Sequence, residues 1–189
     1  MKKLPTLISS TSMLVCGEDL GMIPDCVPSV MSELQILSLE IERMPKQSGV
    51  LFEDLKNIPY LSVCTTSTHD MSPIRSWWKE NRGYTQIYYN EVLNQGGDAP
   101  MLCSPEICQD IVNNHLQSSA MLTILPLQDW LSVDLNLRRK NEDEERINIP
   151  SDPNHRWKYR MHITLEELLE ADQFNAKIKK LVNDSKRNV

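Results

Sequence analysis

Short apolar runs that stop at charged or hydroxyl-bearing residues, each followed by a helix-start signal, constrain this chain more than any other feature. "SMLVC" stops at Gly17-Glu18-Asp19, and "LQILSLEI" stops at Glu42-Arg43. "YLSVC" runs into hydroxyls and then His69-Asp70, and "AMLTIL" is halted by Pro126 just before Leu127-Gln128-Asp129. Such runs read as buried strands. Between them lie helical segments. Asp25 is placed to cap a helix with Val27 and Pro28 in its first turn, running to about Gln35. Ser72 is placed to cap a second, with Pro73 at its first position and Trp77 and Trp78 along it. "GYTQIYYNEVLNQGG" reads as a third, closed by Gly96-Gly97. Ser104, Pro105 and Glu106 open a fourth, whose Ile107, Ile111 and Leu116 share one face.

About four strands alternating with helices predict an α/β fold with a parallel sheet. In such folds functional residues lie at the carboxyl ends of strands. Here those ends carry Glu18-Asp19, Glu42-Arg43 and His69-Asp70, which favours one shared site over separate solvated turns. A complete (β/α)8 TIM barrel takes about 250 residues. Four strand-helix units make half of one, and the first strand starts close to Met1. The expectation is therefore an incomplete half-barrel, cut from a larger domain, over residues 1–163. A helical tail is expected over 164–189, where Glu166, Glu167, Glu170 and Asp172 precede Lys177, Lys179 and Lys180 in the order a helix dipole favours.

Composition narrows the function classes. The net charge of −6 lacks the basic footprint of a nucleic-acid binder. No apolar run reaches the roughly 18 residues that cross a bilayer. The opening "MKKLPTLISSTSMLVC" is broken by Pro5 and hydroxyls, a poor signal-peptide core, so a cytoplasmic, membrane-free location is expected. Five cysteines with no CxxC pair read as free thiols. The four histidines show no ligand spacing with them, so no metal site is expected.

"GEDLG" followed by "IP..V", then "TSTHD", "LPLQD", "RINIP" and the Trp-x-x-Arg-like "RWKYR" together resemble the 4-alpha-glucanotransferases. These are the amylomaltases or disproportionating enzymes, glycoside hydrolase family 77, of the alpha-amylase clan. The resemblance runs from about Leu14 to Met161. It implies that the chain is the C-terminal half of the family's catalytic TIM barrel. It implies catalytic roles for Glu18, as general acid/base, and for Asp70, as transition-state stabiliser. It implies substrate contacts for Asp19, His69 and Asn148. It implies no cofactor, and a maltooligosaccharide or glucan substrate. The family's nucleophile is an aspartate in an Arg-x-Asp-His segment, and none of the 189 residues forms one. The chain by itself is therefore expected to be inactive or nearly so, with self-association through an exposed half-barrel.

Retaining glycoside cleavage needs an acid to protonate the leaving oxygen and a carboxylate to attack the anomeric carbon, about 5–5.5 Å away. The acid needs a raised pKa, which apolar neighbours supply; Glu18 has Val15, Cys16 and Leu20 beside it in sequence. Plainer readings stand beside these: a solvated loop for Glu18-Asp19, a helix cap for Asp70, a satisfied buried histidine for His69. Trp77, Trp78 and Trp130 are sugar platforms by residue type only, and packing is the plainer role for the first two. Two other functions remain open, a non-catalytic carbohydrate-binding or interaction module and an alpha-glucan hydrolase of the same clan.

Overall fold

The computed structural model describes residues 3–187. The outermost residues of the two expected divisions, 1–2 and 188–189, lie outside it. The chain divides into two compact units. The first runs to Thr65 and includes Ser118–Ile124; the second holds Thr66–Gln117 and the chain from Leu125 onward.

The first unit carries the sheet. Strands β1 (Ser38–Ile41), β2 (Ser62–Thr65) and β3 (Leu122–Thr123) lie in the order β1-β2-β3, all parallel. Leu39 faces Val63, and Val63 faces Leu122. All four residues of β2 are buried, as expected of a central parallel strand covered on both faces. Leu55, Ile58, Cys64 and Ala120 form a buried cluster beside it. Helices α1 (Leu4–Ser9) and α2 (Val27–Glu33) complete the unit.

Two expectations change here. "SMLVC" is not a full strand. Only Cys16 bridges Leu37, in parallel, with the Leu37 amide donating to the Val15 carbonyl at 3.0 Å and the Gly17 amide to the Leu37 carbonyl at 2.8 Å. Met13 and Leu14 are exposed, so nothing packs on the start of the run to extend the pairing. Asp25 does not cap α2; Cys26 holds that position and no side chain caps the helix.

The second unit is helical. It contains α3 (Ile74–Glu80), α4 (Arg82–Ile87) with a π-helical continuation over Tyr88–Val92, α5 (Pro105–Leu116), α6 (Leu127–Leu131), a 3-10 turn over Glu142–Glu145, α7 (Leu165–Glu170) and α8 (Asp172–Asp184). α5 follows its sequence signals closely. The Ser104 hydroxyl accepts the Ile107 amide, and Ile107, Ile111 and Leu116 are buried. Thr164 and Glu167 form a capping box on α7. Trp78 and Tyr88 are fully buried, with Trp77 edge-on to Tyr88 at 5.1 Å, so these rings are packing residues.

The helix read as closing at Gly96-Gly97 ends earlier. Its regular turns finish at Val92, and Asn94 takes the left-handed conformation, φ 53°, that asparagine tolerates there. Among the described residues no helix is long and apolar enough to cross a membrane.

Candidate active site

The residues from Thr66 to Asp70 follow β2 in the chain and enter the second unit. There the segment Arg146–Asn148 locks onto them. The Asn148 amide donates to the His69 carbonyl at 3.1 Å, and the Asn148 Nδ2 donates to Asp70 Oδ1 at 2.6 Å. The Arg146 guanidinium donates from Nε to the Asn148 carbonyl at 2.8 Å and from Nη2 to the Asp70 carbonyl at 3.2 Å. His69 Nε2 lies 3.5 Å from Asp70 Oδ2. Three of the five sequence-read site residues, His69, Asp70 and Asn148, thus form one cluster from segments 78 residues apart.

The cluster is open. The side chains of His69 and Asp70 are 46% and 45% exposed, so His69 is not a buried structural histidine. Asp70 does not cap α3, whose N-cap is Pro73. A fourth residue joins them. The Trp157 ring sits 5.0 Å from the His69 ring and is 59% exposed. A carboxylate, a carboxamide and an imidazole beside a bare indole face supply hydroxyl-binding groups and a flat apolar surface together, the mixture that orients small polar ligands.

Ser72, read as the cap of α3, does other work. Its hydroxyl donates to Glu80 and accepts from Arg146, tying the helix to the segment that bears Asn148. The first amide of α3, Ile74, donates instead to Asp129 Oδ1 at 2.9 Å.

Glu18 and Asp19 belong to the first unit. Asp19 is buried and committed within it. Its Oδ1 accepts the Leu39 amide at 2.8 Å, and its Oδ2 lies 2.7 Å from Lys46 Nζ. Lys46 also reaches Glu40 at 2.7 Å. Asp19 therefore fixes the loop after the Cys16 bridge to the start of β1. Glu18, the next residue back, points to solvent. The apolar neighbours expected to bury it do not, because Cys16 is itself exposed and Val15 and Leu20 are half-buried.

Sequence reasoning missed Trp157 and Arg146. "RWKYR" carries the family resemblance, and the sequence alone gives its tryptophan no task. Arg146 stands two residues before Asn148, a spacing that puts both on one side of an extended segment. Among the described residues no three His, Cys, Asp or Glu side chains group so as to hold a metal ion.

A family profile described as 4-alpha-glucanotransferase matches residues 1–165. The chain belongs to the 4-alpha-glucanotransferase family. A 4-alpha-glucanotransferase of rice (Oryza sativa subsp. japonica) is 40% identical over 188 residues, which cover 100% of this chain and 20% of that protein. A 4-alpha-glucanotransferase of Chlamydia pneumoniae is 32% identical over 182 residues, 95% of this chain and 34% of that protein. The chain thus spans between a fifth and about a third of these relatives. Among solved structures, amylomaltase from Streptococcus agalactiae in complex with acarbose superposes with a TM-score of 0.72 at 16% identity. It covers 98% of this chain and 34% of that one. Amylomaltase from Corynebacterium glutamicum gives 0.62 at 14% identity. At such identities the likeness is one of fold, and the fold is α/β.

Proposed function

We propose that this chain is part of a 4-alpha-glucanotransferase that moves alpha-1,4-linked glucosyl segments between maltooligosaccharides by retaining double displacement. In this reading the chain contributes four strand-helix units of a (β/α)8 barrel, the C-terminal half. The observation that carries the proposal is the exposed cluster of Asp70, Asn148, His69 and Trp157, on residues that match the family's "THD" and "RINIP" segments.

The roles follow from charge. Cleavage leaves positive charge on the anomeric carbon and ring oxygen. Asp70, held by Asn148 Nδ2, presents a fixed carboxylate whose hold on the ring hydroxyls tightens as the ring flattens, and interactions that strengthen in the transition state raise the rate. Glu18 gives its proton to the leaving glycosidic oxygen as a nucleophilic carboxylate bonds to the anomeric carbon. In the second half-reaction Glu18 takes the proton of the acceptor hydroxyl that displaces that carboxylate. No Arg-x-Asp-His segment is present among the 189 residues, so the nucleophile lies on sequence other than this. His69 completes the substrate contacts expected for the family, whereas Asp19, buried on the Leu39 amide and Lys46, holds the loop that carries Glu18.

Calorimetry and product analysis test this. The purified chain should bind maltotriose or acarbose without forming glucose or longer chains. Asp70→Asn and Asn148→Ala should each weaken binding about tenfold, the size of one lost charge-assisted hydrogen bond. Unchanged affinity in both variants, or robust turnover by the chain alone, ends the reading.

A further inference from the structure

Arg146 also lines a second cavity. This cavity of about 300 Å³, at the lower end of the range for small-molecule sites, is walled by Arg139, Arg146, His155, Arg156, Lys158 and Arg160. Five full cations meet there in a chain whose net charge is −6. A single carboxylate, Glu144, lines the same space, and it is taken by Arg139 Nη1 at 2.8 Å. Arg156, Lys158 and Arg160 form no ion pair among the described residues. Arg139 is held in place, with Nη2 on the Arg160 carbonyl at 2.6 Å and its guanidinium 5.8 Å over the Tyr159 ring. Its Nε is buried and has no hydrogen-bond partner among the described residues. Like charges gathered this closely repel one another, and a buried donor left unpaired carries a desolvation penalty. The repulsion falls when an anion enters.

We propose that this cavity binds a phosphate monoester, as borne by a hexose phosphate or by a phosphorylated glucan. A phosphate monoester brings nearly two charges and three strong acceptor oxygens, and planar guanidinium forks match them two bonds at a time. A single carboxylate would leave most of these donors idle. Arg146 belongs to both sites, since it also holds the carbonyls of Asp70 and Asn148. The sugar portion of the assignment rests on the glucan reading above; the phosphate portion rests on the cavity alone.

The test is calorimetric titration of the whole chain with inorganic phosphate, glucose 6-phosphate and a phosphorylated maltooligosaccharide, at ionic strength fixed with sodium chloride. Phosphate and glucose 6-phosphate should bind saturably and more weakly as salt rises. Arg156→Ala combined with Lys158→Ala should weaken both by about tenfold or more, and the charge-keeping exchange of Arg156→Lys with Lys158→Arg should restore most of it. Both positions are exposed, so an unchanged melting curve certifies the fold. Tighter binding of the phosphorylated oligosaccharide than of glucose 6-phosphate identifies the polymer as the source; the reverse identifies the free sugar phosphate. Absence of saturable phosphate binding, or equal binding in the alanine double variant, overturns the proposal. Maltotriose binding, read in parallel, reports on the glucan site alone, and its failure with phosphate binding intact removes that reading and not this one.

Discussion

At the residue scale, Glu145 is the side chain whose environment departs furthest from its sequence context. It stands last in the acidic run 142–145, which reads as a solvated stretch, yet it is 2% exposed. Its Oε1 lies 2.6 Å from Arg75 Nη1, and its Oε2 has no hydrogen-bond partner among the described residues. Burial pushes its carboxyl up to about 7, with Arg75 opposing. Arg75 keeps compensation when Glu145 takes a proton, because it also donates to the Arg139 carbonyl at 2.8 Å and lies 3.3 Å from Glu142. Folding therefore favours the protonated acid. The contribution is fully present below the ordinary value of 4.5 and is lost as pH rises through about 7. At most it amounts to about 3 kcal/mol. Urea unfolding at pH 5 and pH 8 should show stability falling with pH, and Glu145→Gln should flatten that slope. An unchanged slope in the variant would place the effect elsewhere. Nothing in "NEDEER" marks which acid goes inside; only packing against Arg75 decides it. Glu18 errs the other way, since apolar neighbours in sequence did not bury it.

At the element scale, the informative contrast is between α5 and α3. Every signal that starts α5 is local: Ser104 accepts the Ile107 amide, and Pro105 and Glu106 suit its first turn. Its start and its buried face were therefore legible in the sequence. The N-terminus of α3 is satisfied from 55 residues away, by Asp129 Oδ1, while Asp129 Oδ2 accepts the Thr66 hydroxyl at 2.5 Å. No spacing rule reveals that arrangement, so the nearby Ser72 was read as the cap. The strands follow the same division. β2 was legible because Leu61, Val63 and Cys64 form an apolar run of their own. "SMLVC" is apolar enough for a strand, but pairing depends on the neighbour it meets, and among the described residues its one bridge is to Leu37. Asp129 is 1% exposed, so Asp129→Ala leaves a buried amide and a buried hydroxyl without their acceptor. It should cost about 3 kcal/mol. Ser104→Ala, losing a local cap, should cost about 1 kcal/mol. Denaturant midpoints compare the two, and equal losses would show that Asp129 does no more than an ordinary cap.

At the scale of the whole molecule, the question is what covers the sheet. Parallel sheets occur almost only where both faces and the edges are protected. In the first unit β3 pairs over only two residues, and Ile124, immediately after it, is 60% exposed. Met13, Leu14, Met22 and Tyr60 of the same unit are also exposed, at 76%, 55%, 106% and 67%. Where such side chains adjoin, they mark surfaces that bind protein or aggregate. The relatives are roughly three to five times as long as the segment they share with this chain, so the full-length enzymes have chain available to cover such a surface. The isolated 189-residue chain has only other copies of itself. Its sedimentation coefficient should therefore rise with concentration. Ile124→Lys, which sets a charge beside the short edge strand, should lower the association constant about tenfold by discouraging edge pairing. The variant's thermal unfolding should barely move, because Ile124 already faces water. A chain that sediments as a monomer at every concentration, or an Ile124→Lys variant that associates as before, would show that this edge is not the contact.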